Sequence, residues 1–160
     1  MIIFRTNASY SSGMGQLARS RRLANNLNSS GYKVCFVLDT MSDYLSKYLK
    51  NLACYSVYDS EWVYLGQEND AMRFVRLFSM KDVTAVIVDD YRFYNIWENI
   101  VRKLNCKIIV IDDQNINNHK CDLLVDSTWE GKKTYERYKD KVSHDSFCLL
   151  GPKYLLVDEV

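Results

Sequence analysis

Arg5-Thr6-Asn7-Ala8-Ser9-Tyr10-Ser11-Ser12-Gly13-Met14-Gly15-Gln16-Leu17-Ala18-Arg19 is the stretch from which the fold can be read. The apolar run Met1–Phe4 before it reads as a short buried strand. The small polar residues after Arg5 read as a loop, and Gly13 and Gly15 open a helix. Backbone N–H groups at a helix start have no helical partner and carry partial positive charge, so an anionic or hydroxyl-rich ligand can sit there. Glycine lets the backbone approach such a ligand closely. A lone Gly-x-Gly also fits a tight strand-to-helix turn with no ligand. The third glycine of the dinucleotide fingerprint would fall at Ala18, and Asp39 is the one acid near the ribose position.

Outward from that stretch, apolar runs alternate with amphipathic ones. The first helix runs from Gly15 to about Ser30, with Leu17, Ala24 and Leu27 as its apolar stripe and Gly31 as its stop. Gln16 and Arg19 are three apart and share a face near its start. Lys33–Leu38, Thr84–Val88 and Lys107–Ile111 read as buried strands, Leu123–Val125 and Phe147–Leu150 as short ones. Cys54–Val57 and Trp62–Leu65 are weaker strand candidates, of which one or both form. Further helices are expected over Ser42–Leu52, Asp70–Met80, Asn95–Leu104 and, in a charged segment, Lys132–Lys141. Strands without polar alternation, separated by helices, are parallel and covered on both faces. The expected fold is therefore α/β, a doubly wound parallel sheet, with Ile2–Phe4, Val34–Leu38, Ala85–Val88 and Ile108–Ile111 at its centre.

The bulk numbers agree with one globular domain. The chain has 160 residues, 48% hydrophobic and 26% charged. A net charge of +1 gives no bulk field for nucleic acid or an anionic membrane. The apolar runs are far short of the roughly 20 residues of a membrane span. Arg5 and Asn7 interrupt any secretory apolar segment. Five cysteines without a Cys-x-x-Cys pair read as buried free thiols in a reducing cytosol, which places the protein in the cytoplasm.

Ligands of open α/β sheets bind beyond the carboxyl ends of the strands. Arg5-Thr6-Asn7, Asp39, Asp89-Asp90-Tyr91, Asp112-Asp113 and Asp126 all fall at that edge. They read either as the polar floor of a sugar-binding cleft or as helix caps, since Asp is favoured just before a helix. His119 lies in a loop among Asn115, Asn117 and Asn118, while His144 reads as a surface residue. Arg19 can bond a sugar or brace Asp89 or Asp112.

These motifs resemble, in order, those of the UDP-sugar hydrolases of pseudaminic-acid synthesis, which are themselves similar to SpsG spore-coat polysaccharide proteins and, more distantly, to MurG glycosyltransferases. The opening Arg5-Thr6-Asn7-Ala8-Ser9, then Gly13-Met14-Gly15 and Arg19, matches that family's first motif. Val88-Asp89-Asp90-Tyr91, Ile111-Asp112-Asp113, His119-Lys120-Cys121-Asp122-Leu123-Leu124 and Leu150-Gly151-Pro152-Lys153-Tyr154 match the later ones. There are two departures. Gln16 stands where the family has its proposed catalytic His, and Asp90 where it commonly has a second His.

The resemblance implies a Rossmann-like, sugar-side domain over residues 1–150, the N-terminal half of a glycosyltransferase-B-like fold. Residues 151–160 would begin a linker to a separate C-terminal nucleotide-binding domain. It implies release of UDP from a UDP-sugar by attack of water in nonulosonic-acid or surface-polysaccharide synthesis. The chemistry would fall to Gln16 and Asp89. The sugar would be held by Arg5, Asn7, Ser9, Gly13, Gly15, Arg19, Tyr91, Asp112 and His119, with no metal and no cofactor. Two alternatives stay open: a catalytically degenerate module that binds a sugar or a partner protein, and the acceptor half of a glycosyltransferase.

Overall fold

The computed structural model describes residues 1–8, 13–59, 64 and 66–157. Its sheet has seven parallel strands: β1 (Ile2–Thr6), β2 (Val34–Leu38), β3 (Ala53–Ser56), β4 (Ala85–Asp89), β5 (Lys107–Ile111), β6 (Leu123–Asp126) and β7 (Phe147–Leu150). They lie in the order β3-β2-β1-β4-β5-β6-β7. The four runs expected at the centre are therefore neighbours, and none is an edge strand. Ile3 pairs with Cys35 on one side and Val86 on the other, and Val86 pairs with Ile108.

The chain winds outward from β1 to β3 and returns to β4 on the far side of β1. Helix α1 (Gly15–Ser29) and the short α2 (Asp43–Tyr48) cover one face, where Leu17, Ala24 and Leu45 pack on Ile2, Phe4, Phe36 and Ile87. Helices α3 (Gln67–Phe78) and α4 (Asn95–Val101) cover the other, where Phe74, Phe78 and Trp97 pack on Ile3, Val37, Val86 and Ile108. Burial on both faces is what removed polar alternation from β1, β2 and β4.

The reading of the charged segment Lys132–Lys141 as a helix needs correcting. Only a 3-10 turn forms there, Lys133–Glu136, followed by hydrogen-bonded turns. Tertiary ties override the helix propensity of Lys and Glu. Thr134 and Tyr138 are drawn into the core, and the Tyr138 hydroxyl donates to the Asp112 carbonyl at 2.9 Å. Arg137 is pulled to Asp126 at 2.8 Å, and the Lys141 ammonium donates to the Asn115 carbonyl. Helix α2 also stops short of Leu52, with Asn51 at φ 74°. Of the two weaker strands, Cys54–Val57 corresponds to the edge strand β3, and Trp62–Leu65 lies outside the described residues apart from Tyr64. No helix among the described residues is long and apolar enough to cross a membrane.

Candidate functional site

The switch point of the sheet lies between β1 and β4, where successive connections leave in opposite directions, and crevices at such points are where doubly wound sheets bind ligands. Helix α1 begins there. Its N-cap, Met14, makes no side-chain cap bond, and no acidic residue occupies the first turn. The N–H groups of Gly15, Gln16 and Leu17 therefore have no helical acceptor, and the positive end of the helix is uncompensated by charge from its own first turn. Gly13 reaches this start at φ 73°, a conformation a Cβ would strain.

Two buried polar atoms near this point have no hydrogen-bond partner among the described residues: Gln16 Nε2 and Thr6 Oγ1. Gln16 is 9% exposed and Thr6 fully buried. Buried polar atoms are ordinarily paired, and each exception calls for an explanation. Thr6 is in register with Asp89 on β4.

Arg19, one turn into α1, organises the acids around it. Its Nε and Nη2 fork onto Asp89 at 2.9 and 2.6 Å, and its Nη1 donates to Asp113 Oδ2 at 2.8 Å. The Ser20 hydroxyl donates to Asp89 Oδ2 at 2.8 Å, and the Tyr91 hydroxyl to Asp113 Oδ1 at 2.6 Å. Burial pushes the Asp89 carboxyl above the usual carboxylate range, against the pull of Arg19 and Ser20. Burial and the Asp113 bond push the Tyr91 phenol up to about 12. Arg19 thus holds Asp89, Tyr91 and Asp113 as one polar unit at the ends of β4 and β5.

A second unit surrounds His119. Its Nδ1 lies 2.6 Å from Glu98 Oε1, and its Nε2 lies 3.5 Å from Asp112 Oδ2, at the limit of hydrogen-bond reach and so mainly a charge contact. Glu98 is fully buried and also accepts from the Lys120 backbone N–H. Asp112 accepts from the Gln114 and Asn115 backbone N–H groups and from Tyr138. Burial opposes a charge on His119, but the nearby Asp112 carboxylate and the hydrogen bond to Glu98 outweigh it and raise the imidazole to about 9. At neutral pH His119 is an imidazolium locked between two carboxylates, a brace for the β5–β6 connection.

This raised value sets a pH dependence. Below about 6.5 both folded and unfolded chains hold the proton, and the full stabilisation is present. Between that value and about 9 the unfolded chain has released it while the folded one retains it, so stability falls as pH rises. The loss expected is on the order of 3 kcal/mol. Urea titrations from pH 6 to 9 check this: wild type should lose stability across the window, and His119→Gln should lack that slope. Equal slopes would mean that His119 is not charged in the fold.

Arg5 does not join either unit. It is fully buried, and its guanidinium donates to Asp70 at 3.2 and 2.6 Å and to Asp39 at 2.6 Å. Arg92 closes the network on the other side, forking onto Asp90 and Asp39. The structure therefore gives Arg5 a bracing place under the cleft, with no atom facing outward. Asn7 is half-buried at the end of β1, Gly13 and Gly15 flank the start of α1, and Ser9 lies outside the described residues. Asp126 caps its own turn, accepting from Thr128 N at 2.8 Å.

Several partners were missed from sequence: Glu98, Asp70, Arg92, Ser20 and Tyr138. Two carried a legible signal. Asp70, Phe74 and Phe78 are four apart and share one helix face, and Glu98 stands beside Trp97 and three before Val101. A carboxylate on an apolar stripe demands a buried partner. Among the described residues no group of three or more His, Cys, Asp or Glu side chains is arranged to hold a metal ion. The acids are instead engaged by arginine, histidine and backbone N–H groups.

A cavity of about 170 Å³ adjoins the Arg19 unit, walled by Ile111, Asp113, Val125 and Ser127 and closed by Tyr154–Val157. Leu156 packs against the α1-side core.

No family model and no curated protein sequence matches the chain. Among solved structures it is similar to MurG of Acinetobacter baumannii, with a TM-score of 0.54 and 14% identity over 80% of this chain and 41% of that one. At that identity the likeness is one of fold, and MurG has the glycosyltransferase-B fold. The chain spans about two fifths of the length of that protein. Its fold is Rossmann-like α/β, with the seven-stranded parallel sheet seen in the topology.

Proposed function

We propose that this chain is the sugar-side domain of a nucleotide-sugar protein resembling the UDP-sugar hydrolases of nonulosonic-acid or surface-polysaccharide synthesis. In that reading a separate C-terminal domain holds the nucleotide. The observation that carries it is the pairing of an uncapped α1 start and an unpartnered Gln16 amide with the Arg19–Asp89–Asp113–Tyr91 unit, all at the switch point. The helix start and the Gln16 amide supply donors for a phosphate or sugar oxygen. The Asp113 carboxylate, 30% exposed, and the Tyr91 phenol supply the acceptors that sugar hydroxyls need. The likeness to MurG is consistent with this reading at the level of fold.

One specific observation favours a second reading, a degenerate sugar-binding module. Residue 16 is a glutamine, which does not titrate near neutral pH and accepts no proton from water.

The test is a titration of the chain with UDP-N-acetylglucosamine, followed through backbone amide shifts. The amides of Gly15–Leu17 should move, and Arg19→Met should abolish that movement while the rest of the spectrum keeps its dispersion. Saturable shifts confined to other surfaces would overturn the reading. UDP alone should bind without micromolar affinity in calorimetry, because the uridine contacts belong to the other domain. A micromolar dissociation constant would refute that division of labour.

A further inference from the structure

The loop after β6 carries two large rings in solvent. Trp129 is 60% exposed and Tyr135 64%, and they meet edge to face with centroids 6.4 Å apart at 82°. Nothing in the core depends on either ring. Their loop, however, is held firmly. The Asp126 carboxylate accepts from Thr128, the Glu130 N–H donates to the buried Thr134 hydroxyl at 2.7 Å, and Gly131 turns the chain at φ 61°. Arg137 anchors the loop to the sheet, contacting Asp126 at 2.8 Å and donating to the Asp113 carbonyl at 2.9 Å.

These ties fix the rings at the carboxyl edge of β5 and β6. Asp113, whose carbonyl holds Arg137, is the acid that Arg19 and Tyr91 bind through its carboxylate. Ser127, two residues before Trp129, and Tyr154 line the 170 Å³ cavity beside that unit. Lys153 lies over the Tyr154 ring at 4.8 Å. The exposed pair thus sits on a loop whose Ser127 end lines the cavity and whose Arg137 end is tied to Asp113.

Two adjoining exposed rings on a fixed loop, rimmed by polar groups, offer a contact surface to a ligand. Tyrosine and tryptophan offer large rigid contact area at little entropic cost. The rim carries both signs: Glu130 and Glu136 beside Lys132 and Lys133, all exposed. Such a surface suits a flat ring with an apolar C–H face and hydroxyls around its edge. We propose that Trp129 forms the stacking face for a pyranose ring, with Tyr135 standing edge-on beside it, on the loop that borders the cavity. This rests on the reading of the chain as a sugar-side domain.

The experiment follows the indole N–H signals of Trp62, Trp97 and Trp129, with Trp129 assigned by Trp129→Phe. The probes are methyl N-acetyl-β-glucosaminide, UDP-N-acetylglucosamine and UDP, each at millimolar concentration. Both sugars should move the Trp129 signal, and UDP should not. Trp129→Ala should weaken binding of the methyl glycoside about tenfold, and Trp129→Phe should keep most of it. The Trp97 indole, which donates to Asp70 at 2.8 Å in the core, reports that each variant is folded.

Shifts at Gly15–Leu17 with a silent Trp129 would overturn the platform and leave the sugar-side reading standing. A Trp129 shift with both sugars and silence at Gly15–Leu17 would support the platform and overturn the switch-point site. A Trp129 shift with UDP alone would make the occupant a nucleobase and overturn the pyranose assignment. Silence everywhere would overturn both.

Discussion

Arg5→Ala is expected to destabilise the fold by about 3–5 kcal/mol, the range for removing one partner of a buried ion pair. Arg5 is fully buried, as is Asp70, and Asp39 is nearly so. The guanidinium lies 4.7 Å from the centre of the Phe93 ring and bridges β1, the end of β2 and the start of α3. Removing it leaves Asp70 with the Trp97 indole and Tyr58 hydroxyl as its side-chain donors among the described residues, at 2.8 and 3.0 Å. Those neutral bonds cannot balance a buried charge. Asp39 retains Arg92, so the damage centres on Asp70. Domains are typically stable by only about 5–15 kcal/mol, so the variant should sit close to unfolding at 25 °C. Arg5→Lys keeps the charge but not the planar fork, and should fall between wild type and alanine. Urea midpoints measure all three. A loss below about 1 kcal/mol for alanine would show that this network does not hold the cleft floor together.

Gln16→His should raise UDP release from a UDP-sugar by about 10²–10⁴-fold in the two-domain assembly that the proposed function requires. The reason is a missing proton acceptor. Asp89 is held by Arg19 and Ser20, Asp90 by Arg92, and Asp112 by backbone N–H groups, Tyr138 and His119. His119 already carries its proton at neutral pH. Each of these groups is thus already engaged within the fold rather than set aside for attacking water. Glutamine can orient a water but cannot accept the proton. A histidine as the second residue of α1 would sit at the positive end of the helix dipole, which favours its neutral, basic form. The comparison is Gln16, Gln16→His and Gln16→Ala, read as UDP released per unit time. Wild type and Gln16→Ala turning over equally at an ordinary enzymatic rate would show that the base lies elsewhere, and the assignment of residue 16 would fall.

The sequence alone determined the sheet. Runs such as Val34–Leu38 and Ala85–Val88 have no polar residue to turn outward, so each must be buried on both faces, and only a helix-covered parallel sheet does that. The start of α1 was legible for the same local reason, because Gly13 and Gly15 punctuate the chain next to the residues they serve. It was also legible that acids collect at the carboxyl edge, since each directly follows its own strand or lies just beyond it.

Which acid meets which base was decided only in three dimensions. Arg5 reads as a ligand contact when seen beside Asn7, but β2 and α3 bring Asp39 and Asp70 to it from 34 and 65 residues away and close it off. His119 reads as a loop residue until α4 supplies Glu98 and the turn after β5 supplies Asp112. The segment after β6 has the composition of a helix, yet Arg137 and Tyr138 find partners at the ends of β6 and β5 that a regular helix would not reach. Local patterns specify which backbone shape is affordable. Pairing of buried charges depends on distances between segments far apart in the chain, and only the packed sheet sets those.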